Sequence, residues 1–164
     1  LAKSEFARAK RNNEVLSLLI MDLDNFKVIN DTFGHAAGDE MIREMGNIIR
    51  TGFRKTDIAG RIGGEEFAVV LKNASLEEAK KVAEQFRETV SRRKVIYGKQ
   101  EIGYTVSIGV AAIGSNTDDI NNIEDLLKMA DDALYKAKAK GRNCVATLEP
   151  GMEGVTLLES KIRN

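Results

Sequence analysis

The sequence predicts an α+β fold, helices covering a mostly antiparallel sheet, and three observations predict it. Apolar runs of strand length at 16–22 and 104–113 are separated by stretches whose apolar spacing is helical. Gly63-Gly64 sits between short runs at 58–62 and 66–71, a hairpin signal. The order that results is strand, helices, hairpin, helix, strand, helix, strand.

Each element has a local reason. Residues 1–13 are basic and helix-permissive, and read as the end of a helix entering the domain. Residues 16–22 are nearly all aliphatic and then end in acids, which reads as a first, buried strand. Phe26, Ile29 and Phe33 follow at helical spacing. Gly34-His35-Ala36-Ala37-Gly38 is expected to break that helix, with Asp39 capping the next one over 40–51. Ser75-Leu76-Glu77-Glu78 spells a capping box opening a helix that runs to about Arg92. Residues 94–100 are polar and suit an edge hairpin. The strand at 104–113 carries the small residues Ser107 and Gly109. Residues 122–140 form an amphipathic helix with Leu126, Leu127, Ala130, Ala133, Leu134 and Ala137 inward, ended by Gly141. A last strand is expected at 143–148. The remainder holds the only proline and reads as a poorly anchored tail, so the domain is expected over 1–148 with a tail at 149–164.

Composition narrows the function. A chain of 164 residues suffices for one domain with a core. Its 25 basic and 25 acidic residues cancel, which argues against a nucleic-acid or anionic-membrane binder and leaves room for a small phosphorylated ligand at a local site. The single cysteine, Cys144, cannot form an internal disulfide, which suits a reducing, cytoplasmic setting. No apolar run approaches membrane-spanning length. The chain begins at Leu1 rather than a methionine and reads as a piece of a longer protein, whose upstream part could be membrane-anchored.

The chemistry lies in two acidic turns. Asp22-Leu23-Asp24 ends the first strand, and Gly63-Gly64-Glu65-Glu66-Phe67 opens the second half of the hairpin. Taken alone, Glu65 and Glu66 read equally well as a solvent-exposed hairpin tip. If the two strands are neighbours, four carboxylates converge at one edge of the sheet. Close anions are costly, and a hard divalent cation bound by one or two carboxylates plus substrate phosphates compensates them.

These residues resemble the GGDEF domain, the diguanylate cyclase module, over nearly all of residues 1–148. The resemblance rests on five motifs in family order. They are Asp22-Leu23-Asp24-Asn25-Phe26-Lys27 with Asn30-Asp31; Gly34-His35-Ala36-Ala37-Gly38-Asp39; Gly63 to Phe67, with glutamate at the third position; Ser107-Ile108-Gly109-Val110-Ala111; and Ala133 to Lys138 running into Gly141-Arg142-Asn143. It implies a central five-stranded sheet wrapped by helices, similar to the palm of polymerases and adenylyl cyclases. It also implies condensation of two GTP to cyclic di-GMP and two pyrophosphates, with Mg²⁺ or Mn²⁺ and across a homodimer controlled by an upstream sensor domain.

Site residues follow from the same resemblance. Asp22, the carbonyl of Leu23, Glu65 and Glu66 would hold metal, with Glu65 as general base and Glu66 approaching a second ion. Asp24 reads either as a further acid of the site or as a turn residue. Lys27 would neutralise charge on the α-phosphate, and Asn25 and Phe26 would offer backbone amides to phosphates. Phe26 reads also as core. Asn30 and Asp39 match the guanine-reading pair, and His35 lies between them. Gly63 and Gly64 would leave room for a nucleotide. Lys138 and Arg142, four apart, match a phosphate-binding pair. Arg54 and Asp57 match the inhibitory RxxD motif that binds cyclic di-GMP. Two departures stand out: the family's secondary arginine falls on Gln85, Arg87 being two residues off, and the Asp-x-Leu-Thr-Gly-Leu-x-Asn-Arg stretch is absent at the amino end. A binding module without catalysis, and a cyclase making a cyclic mononucleotide, are the rival readings. The full set of acids and lysines speaks against the first; Asp39 and the RxxD motif speak against the second.

Overall fold

The computed structural model describes residues 1–114 and 119–148; the expected tail at 149–164 lies outside the described residues. The elements are α1 (Ala2–Asn12), β1 (Leu16–Leu23), α2 (Phe26–Phe33), α3 (His35–Gly52), β2 (Ile58–Arg61), β3 (Glu66–Lys72), α4 (Leu76–Ser91), β4 (Lys94–Tyr97), β5 (Gln100–Gly103), β6 (Val106–Ile113), α5 (Ile123–Ala139) and β7 (Val145–Thr147). Five strands form one sheet in the order β2-β3-β1-β6-β7, with β4 and β5 paired apart as the expected edge hairpin. Only β7 pairs parallel, against β6; the other pairs are antiparallel.

β1 is central and buried along its whole length. Successive side chains of a strand point to opposite faces, so β1 feeds two cores. Leu19, Met21 and Leu23 pack with Met41 and Met45 of α3 and Ala83 and Phe86 of α4. Leu16, Leu18 and Ile20 pack with Phe6 of α1 and Leu126, Ala130 and Leu134 of α5. Helices therefore cover both faces of the sheet. Asp22 has the parity of Leu18 and Ile20 and falls on the α5 face.

Gly109, opposite Ile20 in β6, seats α5 on that face. A Cβ there would lie 2.1 Å from the Ala130 carbonyl oxygen and 2.3 Å from the Leu134 nitrogen. Only a glycine lets the helix backbone approach so closely. The capping box also forms: the Glu78 amide donates to Ser75 Oγ at 3.3 Å and the Ser75 amide to Glu78 Oε2 at 2.8 Å.

The region between α2 and α3 departs from expectation. Asp39 does not cap a helix starting at residue 40; α3 begins at His35, and Gly34, with φ 90°, both ends α2 and precedes α3. A positive φ at one glycine makes the whole corner, so the second glycine is not needed to break the helix. Gly38 is instead buried within α3 because Asn30 packs on it: a Cβ there would lie 1.8 Å from Asn30 Oδ1.

Candidate active site

The antiparallel register of β1 and β3 sets Asp22 directly opposite Glu66. The Leu23 amide donates to the Glu65 carbonyl at 3.2 Å, tying the first acidic turn to the second. Arg61 fixes the tip of the hairpin by donating to the carbonyls of Gly63 at 3.0 Å and Gly64 at 2.7 Å. Sequence reading missed this role, and an arginine two residues ahead of the glycines carries no distinctive signal. Neither Gly63 nor Gly64 has a positive φ, and the space around Gly64 is open.

Three of the four expected carboxylates converge: Asp22, Glu65 and Glu66. Asp24 does not join them, contrary to the convergence of four. Its Oδ1 accepts from Ser107 Oγ at 2.6 Å, and its Oδ2 from Thr105 Oγ1 at 2.6 Å and the Asn143 amide at 2.9 Å. Three of the roughly four lone-pair positions of this carboxylate are taken, so although Asp24 borders the cleft its oxygens are largely committed to the protein.

Asp22 is the opposite case. Its side chain is only 6% exposed and pairs with Lys138 Nζ at 2.6 Å. The other oxygen, Oδ1, is buried and accepts no hydrogen bond. Its negative charge acts on both glutamates. Burial and then the Asp22 charge hold the Glu65 carboxyl above its ordinary range, and a bond to Asp22 that forms when Glu65 carries a proton adds to this. Glu66 is raised by burial, then by the charges of Asp22 and Asp131. Among the described residues, no three such side chains form a ready-made metal cage. A hard cation that takes one or two carboxylates and completes its shell with phosphates does not require one. The oxygen donors present fit such an ion: Asp22 Oδ1, orphaned in the protein, the Leu23 carbonyl beside it and the Glu65 carboxylate.

Phosphate-binding features surround this cluster. An open cleft of about 270 Å³ is lined by Asp22 to Val28, Glu65, Lys138 and Arg142. Asn25 takes a left-handed conformation, φ 55°, at the start of α2, so the first amides of that helix are free of intrahelical partners. Lys27 is exposed beside them. Asn30, His35 and Asp39 do not line the cleft. Asn30 packs on Gly38 of α3 together with the ring of Phe26, which itself lines the cleft. Asn30 Oδ1 is buried there without a partner, while His35 and Asp39 are exposed on α3.

Arg54 and Asp57 stand elsewhere, in a depression of about 340 Å³ formed also by Phe53, Val82 and Gln85. Arg54 is held: Nη2 donates to Asp57 Oδ1 at 3.2 Å and to the Lys72 carbonyl at 2.9 Å. Gln85 lines this depression where the secondary arginine was sought. Arg87 points away, with Nη1 donating to Asn143 Oδ1 at 2.7 Å.

Residues 1–144 match the diguanylate cyclase GGDEF domain, and the chain belongs to that family. It is 45% identical over 132 residues to diguanylate cyclase A of Treponema denticola, spanning 80% of this chain and 35% of that protein. It is 42% identical over 140 residues to the response regulator PleD of Caulobacter vibrioides, spanning 84% of this chain and 30% of PleD. The chain therefore covers about a third of the length of these relatives. Among solved structures, it is similar to the active GGEEF domain of a diguanylate cyclase from Vibrio cholerae, with 36% identity, a TM-score of 0.80, and coverage of 90% of this chain and 92% of that one. It is also similar to the GGDEF domain of DgcB from Caulobacter crescentus in complex with c-di-GMP, with 31% identity, a TM-score of 0.81, and coverage of 88% and 81%. The five-stranded sheet expected from the resemblance is the one observed.

Proposed function

We propose that residues 1–148 are a diguanylate cyclase domain that condenses two GTP to cyclic di-GMP, releasing two pyrophosphates. The observation that carries this reading is an under-compensated carboxylate cluster: Asp22 and Glu65 line one cleft with Lys27, Lys138, Arg142 and the open end of α2, and Glu66 stands opposite Asp22 in the sheet. An anionic cluster beside a cationic rim suits a triphosphate together with a divalent cation. The similar Vibrio cholerae domain, described as active, carries the same GGEEF form of the signature.

The residues divide the work. Lys138, Arg142 and the α2 amides hold the phosphate chain, and Lys27 faces charge developing at the α-phosphate. Asn30 and Asp39 read guanine: a carboxylate accepts from N1–H and N2–H together, which adenine cannot offer, and leaving Asn30 Oδ1 unpartnered penalises a wrong base. Asp22, the Leu23 carbonyl, Glu65 and Glu66 would hold Mg²⁺ or Mn²⁺. A divalent cation held by these groups would supply a lowered pKa at the ribose hydroxyl and polarisation of the phosphate. Glu65 takes the 3′-hydroxyl proton as general base. The 3′-oxygen bonds to the α-phosphorus of the other GTP as the bond to pyrophosphate breaks in line.

Cyclic di-GMP contains two such linkages related by a two-fold axis, and each cleft supplies one nucleotide. Two domains must therefore face each other, and a monomer is inactive. Arg54 and Asp57 form the product-binding inhibitory site, Arg54 forking onto phosphate or stacking on guanine. With Gln85 in place of a second arginine, that site holds product less tightly. Input comes from a covalently attached upstream domain that sets dimer geometry.

The test is product analysis of concentrated protein with GTP and Mg²⁺, beside Glu65→Gln. Cyclic di-GMP from wild type and none from the variant is expected. Failure to turn over GTP after forced dimerisation and removal of bound nucleotide would instead make the domain a GTP or cyclic di-GMP binding module.

A further inference from the structure

We infer that Asp24, Asn143 and Arg87 are positioning residues that set Arg142 over the cleft, an inference that rests on the phosphate-binding role proposed for Arg142. The turn after α5 has an unusual backbone. Gly141, Arg142 and Asn143 follow one another at φ 118°, 66° and 46°. Two of the three are not glycine; asparagine enters this region readily, whereas an arginine there, as at position 142, is uncommon.

The Arg142 amide donates to the Ala137 carbonyl at 3.2 Å, an ordinary helix-end bond, and two contacts from distant parts of the chain fix Asn143 beyond it. The Asn143 amide donates to Asp24 Oδ2, 119 positions away in sequence, at 2.9 Å. The Asn143 side chain accepts from Arg87 Nη1 on α4 at 2.7 Å. Asp24 is itself anchored: Ser107 and Thr105 donate to it, and its own amide donates to the Thr105 carbonyl at 2.9 Å. It is 4% exposed. The strand end that carries Asp22 is thereby joined through one carboxylate to the turn that carries Arg142. The two sides of the cleft are held at a set separation before any nucleotide arrives.

Such an arrangement lowers the ordering cost of recruiting Arg142 to a phosphate. It also gives the second acid, which borders the cleft beside Asp22 with its oxygens held by the protein, a role of its own. The role requires hydrogen-bond acceptors, not a negative charge open to a cation. An amide at position 24 can keep its oxygen toward Thr105 and Asn143 and donate to Ser107 Oγ, whose hydroxyl rotates to accept.

The experiment is calorimetric titration of the protein with α,β-methylene-GTP, which cannot lose pyrophosphate, and separately with GMP, both with Mg²⁺. Thermal melting of each variant serves as the control for folding. Arg142→Ala is expected to weaken α,β-methylene-GTP about tenfold, the worth of one charge-assisted bond, and to leave GMP unchanged. Arg87→Met keeps the stem packed on α4, and is expected to weaken the triphosphate about threefold with GMP unchanged. Combined with Arg142→Ala it should add nothing, because it acts through that residue. Asp24→Asn should bind the triphosphate within about twofold of wild type. Independent, multiplying effects of Arg87→Met and Arg142→Ala would overturn the inference. So would loss of triphosphate binding in Asp24→Asn as complete as in Asp22→Asn, which would make Asp24 a ligand of the site. If wild type binds α,β-methylene-GTP no better than GMP, the cyclase reading itself falls and this one with it, a result distinct from the other two.

Discussion

Asp22 and Asp24 stand two positions apart at the end of the same strand, and their surroundings are opposite. Asp24 is surrounded by hydrogen-bond donors, three of them on two oxygens. Asp22 has one cation on one oxygen, nothing on the other, and two further carboxylates nearby. A satisfied buried carboxylate stabilises the fold, whereas an under-satisfied one stores a preference for whatever completes it. The proposed chemistry rests on the second kind, and the difference can be broken by substitution from either side.

The largest effect should come from the under-satisfied group. Glu65→Gln and Asp22→Asn are each expected to lower the rate of cyclic di-GMP formation by about 10²–10⁴-fold while the folded state survives, as measured by turnover beside circular dichroism. If either variant instead unfolds the domain, the cluster has a structural role and the contrast with Asp24 disappears. Arg54 and Asp57 form a third case, two charges that satisfy each other. Arg54→Ala should raise the inhibition constant for cyclic di-GMP by about tenfold or more and leave the initial rate unchanged, read from progress curves with and without added product.

On the satisfied side, Ser107→Ala leaves a buried Asp24 oxygen without its donor. It should cost about 1–3 kcal/mol of unfolding free energy in a urea titration. Gly38→Ala should cost a similar amount, about 1–3 kcal/mol, by driving Asn30 from its place, and should reduce discrimination of GTP from ATP in the same preparation.

The smallest effect concerns pH. Glu65 and Glu66 have proton affinities raised in the folded state above the ordinary carboxylate value of 4.5. The stabilisation linked to their protonation is fully present below that value and is lost as pH rises through the raised pKa values. Without divalent cation, Glu65→Gln should therefore melt about 1–2 °C above wild type at pH 7–8, solvent screening keeping the difference small, and the gap should close below about pH 4.5.

Much of this was legible in the sequence because it depends on neighbours in the chain. The aliphatic run of β1, the capping box of α4 and the apolar stripe of α5 are local patterns and formed where expected. Apolar parity along β1 even places Asp22 on the α5 face, where Lys138 meets it. The corner at Gly34 was misread because two glycines offered two break points, and only the packing of Asn30 on Gly38 decides between them. The environment of Asp24 was illegible for a stronger reason. Its partners Thr105, Ser107 and Asn143 lie 81, 83 and 119 positions away, and no periodicity reports such pairings. The same holds for Arg87, which sequence position marks only as an arginine in the wrong place for the inhibitory site.

The central placement of β1 has a consequence for hydrogen exchange. Its amides are shielded by a strand on either side and a helical layer on either face, so they exchange only through the largest openings of the domain. β2, at the sheet edge with three of its four residues exposed, sits at the other extreme. β2 should therefore lose its amide protons through small local openings, while β1, which carries Asp22, keeps its own until the domain opens as a whole.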